Sequence, residues 1–169
     1  MSEQDLRMQY ANVPKRFKAA ELDDFDKGIA DTCREFLKVD DWGCLAVIGP
    51  VGTGKTHLAS ALAKEYCLRR NALYTTAYAM SQRVMADRNA SHFTKYSLLI
   101  IDEIGRTFDT EAEKSRLFDI INNRYENLKP TIVVGNATLD EVKKSVGPAI
   151  WDRLKENMTA ITLAGKSRR

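Results

Sequence analysis

Eight consecutive residues, Gly49-Pro50-Val51-Gly52-Thr53-Gly54-Lys55-Thr56, place three glycines ahead of a lysine and a threonine. The spacing is G-x-x-x-x-G-K-[ST], and the chemistry such a segment performs is the capture of phosphate. Glycine permits the dihedrals that turn successive backbone N–H groups toward one anion, and it leaves room for the anion to come close. Lys55 is then placed to reach β- and γ-phosphates, and the Thr56 hydroxyl to ligate Mg²⁺. A pair of acids, Asp102-Glu103, closes the apolar run Leu98-Leu99-Ile100-Ile101. Neighbouring side chains of a strand point to opposite faces, so two adjacent carboxylates can take different work. Asp102 is expected in the Mg²⁺ shell, and Glu103 is expected to orient and deprotonate an attacking water. Asn136 follows Thr131-Ile132-Val133-Val134-Gly135, where a polar side chain could face the γ-phosphate. An asparagine that merely forms a turn before Ala137-Thr138 is the alternative.

These groups act together only if strands carry them to one edge of a sheet. From residue 43 onward, short apolar runs alternate with longer segments of helical period, as in a parallel sheet flanked by helices. The spacing predicts strands over 44–48, 72–77, 97–102, 131–135 and 160–163, most of them apolar on both faces as buried parallel strands are. After the first strand, Leu58, Leu62 and Tyr66 with Ala59 and Ala63 form one helical stripe. A second helix is predicted over 111–128, stopped by Pro130. Residues 1–40 are more charged, with a Pro14-Lys15-Arg16-Phe17 turn and a helical stretch over 24–37. They are read as an N-terminal arm or linker ahead of a single core at 41–169.

At 169 residues the chain has room for one core. Hydrophobic residues make up 44% and charged residues 29%, which excludes global disorder. A net charge of +3 is too small to identify a nucleic-acid binder by itself. The three cysteines, Cys33, Cys44 and Cys67, lack metal-ligand spacing and suggest no disulfide framework. With no apolar run of membrane-spanning length and a polar first segment, a cytoplasmic protein without a membrane partner is expected.

Taken together, Gly52-Thr53-Gly54-Lys55-Thr56-His57-Leu58-Ala59, Leu98-Leu99-Ile100-Ile101-Asp102-Glu103-Ile104-Gly105, Asn122-Asn123-Arg124-Tyr125-Glu126, Asp152-Arg153-Leu154 and Gly165-Lys166-Ser167-Arg168-Arg169 carry a resemblance. The chain resembles the AAA+ ATPases of the DnaC/DnaI helicase-loader and IstB transposition-helper branch. That likeness implies an α/β, three-layer P-loop NTPase core with a five-stranded, mainly parallel sheet. It implies ATP and Mg²⁺ as ligands, with the phosphate loop around the nucleotide, His57 at the start of the loop helix either beside the nucleotide or simply packed there, and Asn136 in the sensor-1 position. By the same likeness Arg153 fits an arginine finger offered to a neighbouring subunit, and Arg169 or Arg168 fits a sensor-2 arginine. An ion pair of Arg153 with Asp152 or Glu156 is the alternative. Phe17 stands where these ATPases bring an N-terminal linker against adenine, or equally where an aromatic staples the arm to the core. Arg124 is read as an ordinary cation on the polar face of its helix.

The resemblance also implies a function: an ATP-dependent homo-oligomer that contacts single-stranded DNA and delivers a DnaB-type replicative helicase. An IstB-like helper for a transposase and a nucleotide-gated protein adaptor are the alternatives. Two departures from the family pattern stand out. Only about forty residues precede the core, and the chain ends directly after the sensor-2 match, so no separate helical lid domain is expected. Residues 80–96, where loaders carry an element that touches single strands, hold Arg83, Arg88 and Lys95.

Overall fold

Five apolar runs pair side by side in a computed structural model that describes residues 3–87, 90–105 and 110–165. The strands are β1 (Cys44–Ile48), β2 (Ala72–Thr76), β3 (Leu98–Asp102), β4 (Thr131–Gly135) and β5 (Met158–Thr162). They hydrogen-bond in the order β2-β3-β4-β1-β5, and every pair is parallel. The three inner strands are buried along their whole length, which explains their unbroken apolar character. β5 starts two residues earlier than the sequence predicts. It is an edge strand whose first three residues stay partly or fully exposed, so its apolar signal begins only near Ile161. β2 and β3 each lose one predicted terminal residue, because Ala77 already opens the next helix and Ser97 precedes the ladder.

Parallel strands require crossovers, and these cover both faces of the sheet. One face carries α1 (Glu3–Tyr10), α2 (Lys27–Lys38) and α3 (Lys55–Cys67). Here Leu58, Ala59, Leu62, Ala63 and Tyr66 of the predicted stripe are buried against Leu45, Val47, Ile100 and Val134. The other face carries α4 (Ala77–Asp87), α5 (Ser91–Thr94), α6 (Glu111–Glu126), α7 (Leu139–Val146) and α8 (Pro148–Lys155). The start of α6 is fixed by a capping box in which Thr110 and Glu113 satisfy each other's backbone N–H. Its end comes where Leu128 turns left-handed before Pro130.

Residues 3–40 contribute directly to this core. Ala11, Ala20, Leu22, Phe25, Ala30, Cys33 and Phe36 are buried in the same cluster as the α3 stripe. At the outer edge of the sheet the Tyr74 N–H donates to the Ala11 carbonyl at 2.8 Å, and the Asn12 side-chain amide donates to the Tyr74 carbonyl at 3.2 Å. The segment thus covers an edge strand that would otherwise present unpaired backbone groups.

Arg124 departs furthest from the sequence expectation. It is fully buried instead of lying on a polar face. Its Nε donates to Thr131 Oγ1 at 2.9 Å, one terminal nitrogen to the Phe93 and Tyr96 carbonyls at 3.1 and 2.8 Å, and the other to the Ser97 and Pro130 carbonyls at 3.1 and 2.6 Å. A guanidinium has five N–H donors, and here each meets an acceptor. Burial nevertheless pushes its pKa below the usual guanidinium range. The knot ties the α5 segment and the start of β4 to the end of α6.

Candidate functional site

The phosphate loop leaves β1 at the C-terminal edge of the sheet, where three glycines sit at positive φ: Gly49 at 141°, Gly52 at 85° and Gly54 at 96°. A Cβ on Gly49 would lie 2.2 Å from the Leu163 carbonyl oxygen, so no larger residue fits there. Gly54 is the residue that turns the chain into α3, aiming the helix N-terminus at the loop's interior. Pro50 and Thr53 hold the loop from within, the Thr53 hydroxyl donating to the Pro50 carbonyl at 2.9 Å. The Lys55 ammonium donates to the same carbonyl and to Thr53 Oγ1 at 3.4 Å. It is only 6% exposed, and burial lowers its pKa while the nearby Asp102 charge opposes that shift.

Asp102 ends β3 beside this loop. Its Oδ2 accepts from the Thr56 hydroxyl at 2.9 Å and from the Tyr74 phenol at 2.5 Å, and its Oδ1 accepts from the Glu103 N–H at 2.7 Å. Burial first, and the Asp102 charge second, raise the Tyr74 pKa, so the phenol is held as a donor. A threonine hydroxyl beside a carboxylate is a set of hard oxygen donors with few protein ligands, which fits Mg²⁺, an ion that keeps several of its waters. Glu103 adopts φ of 60°, a left-handed conformation that is strained for a residue with a Cβ, and its side chain is exposed.

Lys55, Thr56, Asp102, Glu103 and Asn136 line one cleft of about 400 Å³, together with Val51, Gly52 and Gly54. Asn136 follows β4 directly, so the strand order places it beside the acidic pair. Arg16, Phe17, Asp24 and His57 line the same cleft. His57 Nε2 lies 2.7 Å from Asp24 Oδ2, and its ring meets Phe17 and Phe25 edge-on at 5.9 and 5.5 Å between centroids. The hydrogen bond from His57 holds the Asp24 carboxyl below the usual carboxylate range. Phe17 lines the cleft and also packs on the core, as a staple of the arm would.

Arg153 is not among the residues of this cleft. It lies half-buried near the end of α8, its guanidinium carbon 4.9 Å from the Tyr125 ring centroid and its Nε donating to Asn122 Oδ1 at 3.2 Å. Neither of the ion pairs weighed for it forms. Asp152 pairs with Lys155 at 2.7 Å, and the Glu156 carboxylate accepts from the Tyr125 hydroxyl at 2.9 Å. Arg83 and Lys95 are exposed on the 80–96 segment, with Lys95 5.2 Å from the Tyr96 ring. Arg88, Arg168 and Arg169 lie outside the described residues.

Sequence reasoning missed Tyr74, Asp24 and Arg16 as site residues. Tyr74 precedes Thr76, the register partner of Asp102, by two residues, which puts its ring on the Asp102 face. That signal exists only once β2 is known to pair with β3. Among the described residues no cluster of three or more His, Cys, Asp or Glu could hold a metal, and no helix is long and apolar enough to cross a membrane.

Comparison with known proteins agrees with this geometry. Replicative helicase loader DnaC of Escherichia coli K12 is 31% identical over 134 residues, covering 72% of this chain and 55% of that protein. An insertion sequence IS232 protein of Bacillus thuringiensis subsp. berliner is also 31% identical, over 138 residues, covering 74% of this chain and 55% of the relative. The chain therefore spans about half the length of the curated relatives it matches. The crystal structure of DnaI superposes with a TM-score of 0.80 at 19% identity, covering 96% of this chain and 99% of that one, and this establishes the shared α/β P-loop fold. Residues 4–169 match the IstB-like ATP binding protein family. With the phosphate loop, the acidic strand end and that match in agreement, the chain belongs to the family of IstB-like ATP-binding proteins.

Proposed function

We propose that this protein is a Mg²⁺-dependent AAA+ ATPase that assembles with copies of itself and delivers a DnaB-type replicative helicase onto single-stranded DNA. The observation that carries the ATPase half is the convergence of Lys55, Thr56, Asp102, Glu103 and Asn136 on one cleft from three different strand ends. In this proposal the loop N–H groups and Lys55 hold the phosphates, Lys55 exchanging its bond to the Pro50 carbonyl for phosphate oxygens. Thr56 and Asp102 would hold Mg²⁺, which neutralises charge developing on the phosphates when bound. Glu103, exposed in the cleft, would take a proton from water, and Asn136, which lines the same cleft, would fix that water. Phe17 and His57 supply a ring-lined part of the cleft for the base.

Arg153 would complete the cleft of the neighbouring subunit, since it lies outside that of its own chain. Arg169 is assigned to the nucleotide as a sensor by resemblance only. Support for the helicase half comes from the loader relative. The insertion-sequence relative and the family description support a second reading, a transposition helper that serves a transposase on duplex DNA. Co-elution of the purified chain with each partner, with and without ATP, separates the two. Retention of the helicase only with nucleotide supports the loader, and retention of a transposase instead overturns it.

The ATPase half has its own test. Lys55→Ala should abolish binding of a fluorescent ATP analogue, while Glu103→Gln should bind it and not turn it over. Normal binding by Lys55→Ala would show that the loop is not the phosphate site. For DNA, anisotropy at low salt should show Arg83→Ala with Arg88→Ala weakening single-strand binding, and that difference should shrink as salt rises. Equal affinity would place the DNA site elsewhere.

A further inference from the structure

Among the groups that touch Asp102, Tyr74 has no part in the chemistry proposed above. A carboxylate offers about four acceptor positions on its two oxygens. Three hydrogen bonds already reach Asp102: the Glu103 N–H on Oδ1, and the Thr56 and Tyr74 hydroxyls on Oδ2. One acceptor position is left for a metal-bound water. The Thr56 hydroxyl can ligate an ion through a lone pair and still donate its proton to Oδ2, so Tyr74 does not compete with that role.

The phenol is itself firmly placed. Tyr74 is 4% exposed, and its ring lies in the core cluster beneath α3. Its backbone is clamped at the outer edge of the sheet, the N–H by the Ala11 carbonyl at 2.8 Å and the carbonyl by the Asn12 amide at 3.2 Å. A buried tyrosine hydroxyl needs some acceptor, and a main-chain carbonyl would serve a purely structural need. This one meets instead the carboxylate that faces the cleft.

We propose that Tyr74 is a positioning residue for the metal site: its phenol fixes the rotamer of Asp102 and so sets the affinity of the cleft for the Mg²⁺ that accompanies ATP. The proposal rests on the cleft being an Mg²⁺–ATP site. Groups that orient a metal-holding carboxylate typically change metal affinity by about tenfold to a hundredfold when removed.

The test is a titration of a fluorescent ATP analogue on the full chain, first in EDTA and then across a Mg²⁺ series, for wild type and Tyr74→Phe. Tyr74→Phe should bind nucleotide in EDTA as wild type does and require about tenfold more Mg²⁺ to reach half its enhancement. Thermal unfolding is followed in parallel, because a merely structural hydroxyl would shift the melting temperature and leave the Mg²⁺ midpoint in place. An unchanged midpoint overturns the proposal. If Tyr74→Phe fails to fold, Tyr74→Met removes the same hydroxyl with a more adaptable side chain and is read the same way. Wild type that binds no nucleotide, or binds it without regard to Mg²⁺, sinks the ATPase reading as well. Wild type that responds to Mg²⁺ beside an unshifted Tyr74→Phe sinks this inference alone.

Discussion

The two ends of the sheet carry clefts of nearly equal size that differ in what their buried polar groups meet. At the C-terminal ends of the strands, about 400 Å³ is bordered by Lys55, Asp102, Glu103 and Asn136. At the N-terminal ends, about 380 Å³ is bordered by Phe36, Trp42, Pro130 and Thr159 among others. Exposed Glu35, Asp41 and Asn157 also border the second cleft, but the buried polar groups behind it are satisfied within the chain. Arg124 meets five acceptors, and the Trp42 indole N–H lies 3.1 Å from the carbonyls of both Arg153 and Glu156. At the first, Lys55 leans on a carbonyl of its own loop and Glu103 stays in a strained left-handed conformation. Charge satisfied within the chain maintains the fold, whereas charge and strain kept at an open cleft are suited to a ligand.

The largest effect tests whether the closed end is also functional for a neighbour. Arg153→Ala should bind ATP and lose turnover on the order of a thousandfold or more, since an arginine at a developing phosphate charge contributes that much. Lys55→Ala should be inactive for lack of nucleotide. Mixing the two creates interfaces that pair an intact loop with an intact Arg153, and partial turnover should return. Co-assembly without any gain in turnover would leave Arg153 to its Tyr125 and Asn122 contacts.

Next in size is the Arg124 knot. Arg124→Met removes the donor from four carbonyls, three of them buried, and from a hydroxyl, and should destabilise the fold by about 4 kcal/mol in urea unfolding. A loss below about 1 kcal/mol would mean that the segment relaxes around the gap, and the contrast between the two ends would weaken.

Glu103→Gly probes the opposite sign. Removing the Cβ relieves left-handed strain of roughly 1–2 kcal/mol, against an entropic penalty for glycine of about 0.5–1 kcal/mol. The variant should therefore be more stable by about 0.5–1 kcal/mol and should not hydrolyse ATP. Lower stability would show that the strain is already offset by contacts of the side chain.

The smallest effect lies at the ring-lined part of the open cleft. His57 depresses the Asp24 pKa from its usual 3.8, so the pair stabilises the folded state above that value and loses its contribution as pH falls through the lower folded value. The gap in melting temperature between wild type and Asp24→Asn should narrow as pH is lowered below about 4. A gap that is constant from neutral pH to pH 3 would show that the carboxylate's charge is not what holds His57.

The sequence by itself determined the phosphate loop, the acidic strand end and the three inner strands. Each is local: glycine spacing sets the loop's dihedrals, and strands buried on both faces are apolar without interruption. β5 was legible only in part, because an edge strand buries few of its side chains. Tertiary structure decided what depends on pairing order and on which face closes. Arg124 could not be told from a surface cation, since five carbonyl and hydroxyl acceptors from two other segments leave no trace in its own helix period. Tyr74 met Asp102 only because β2 pairs with β3, and Asp24 met His57 only because the first forty residues fold into the same core as α3. A side chain's partners across a sheet are set by strand order, which no single segment encodes.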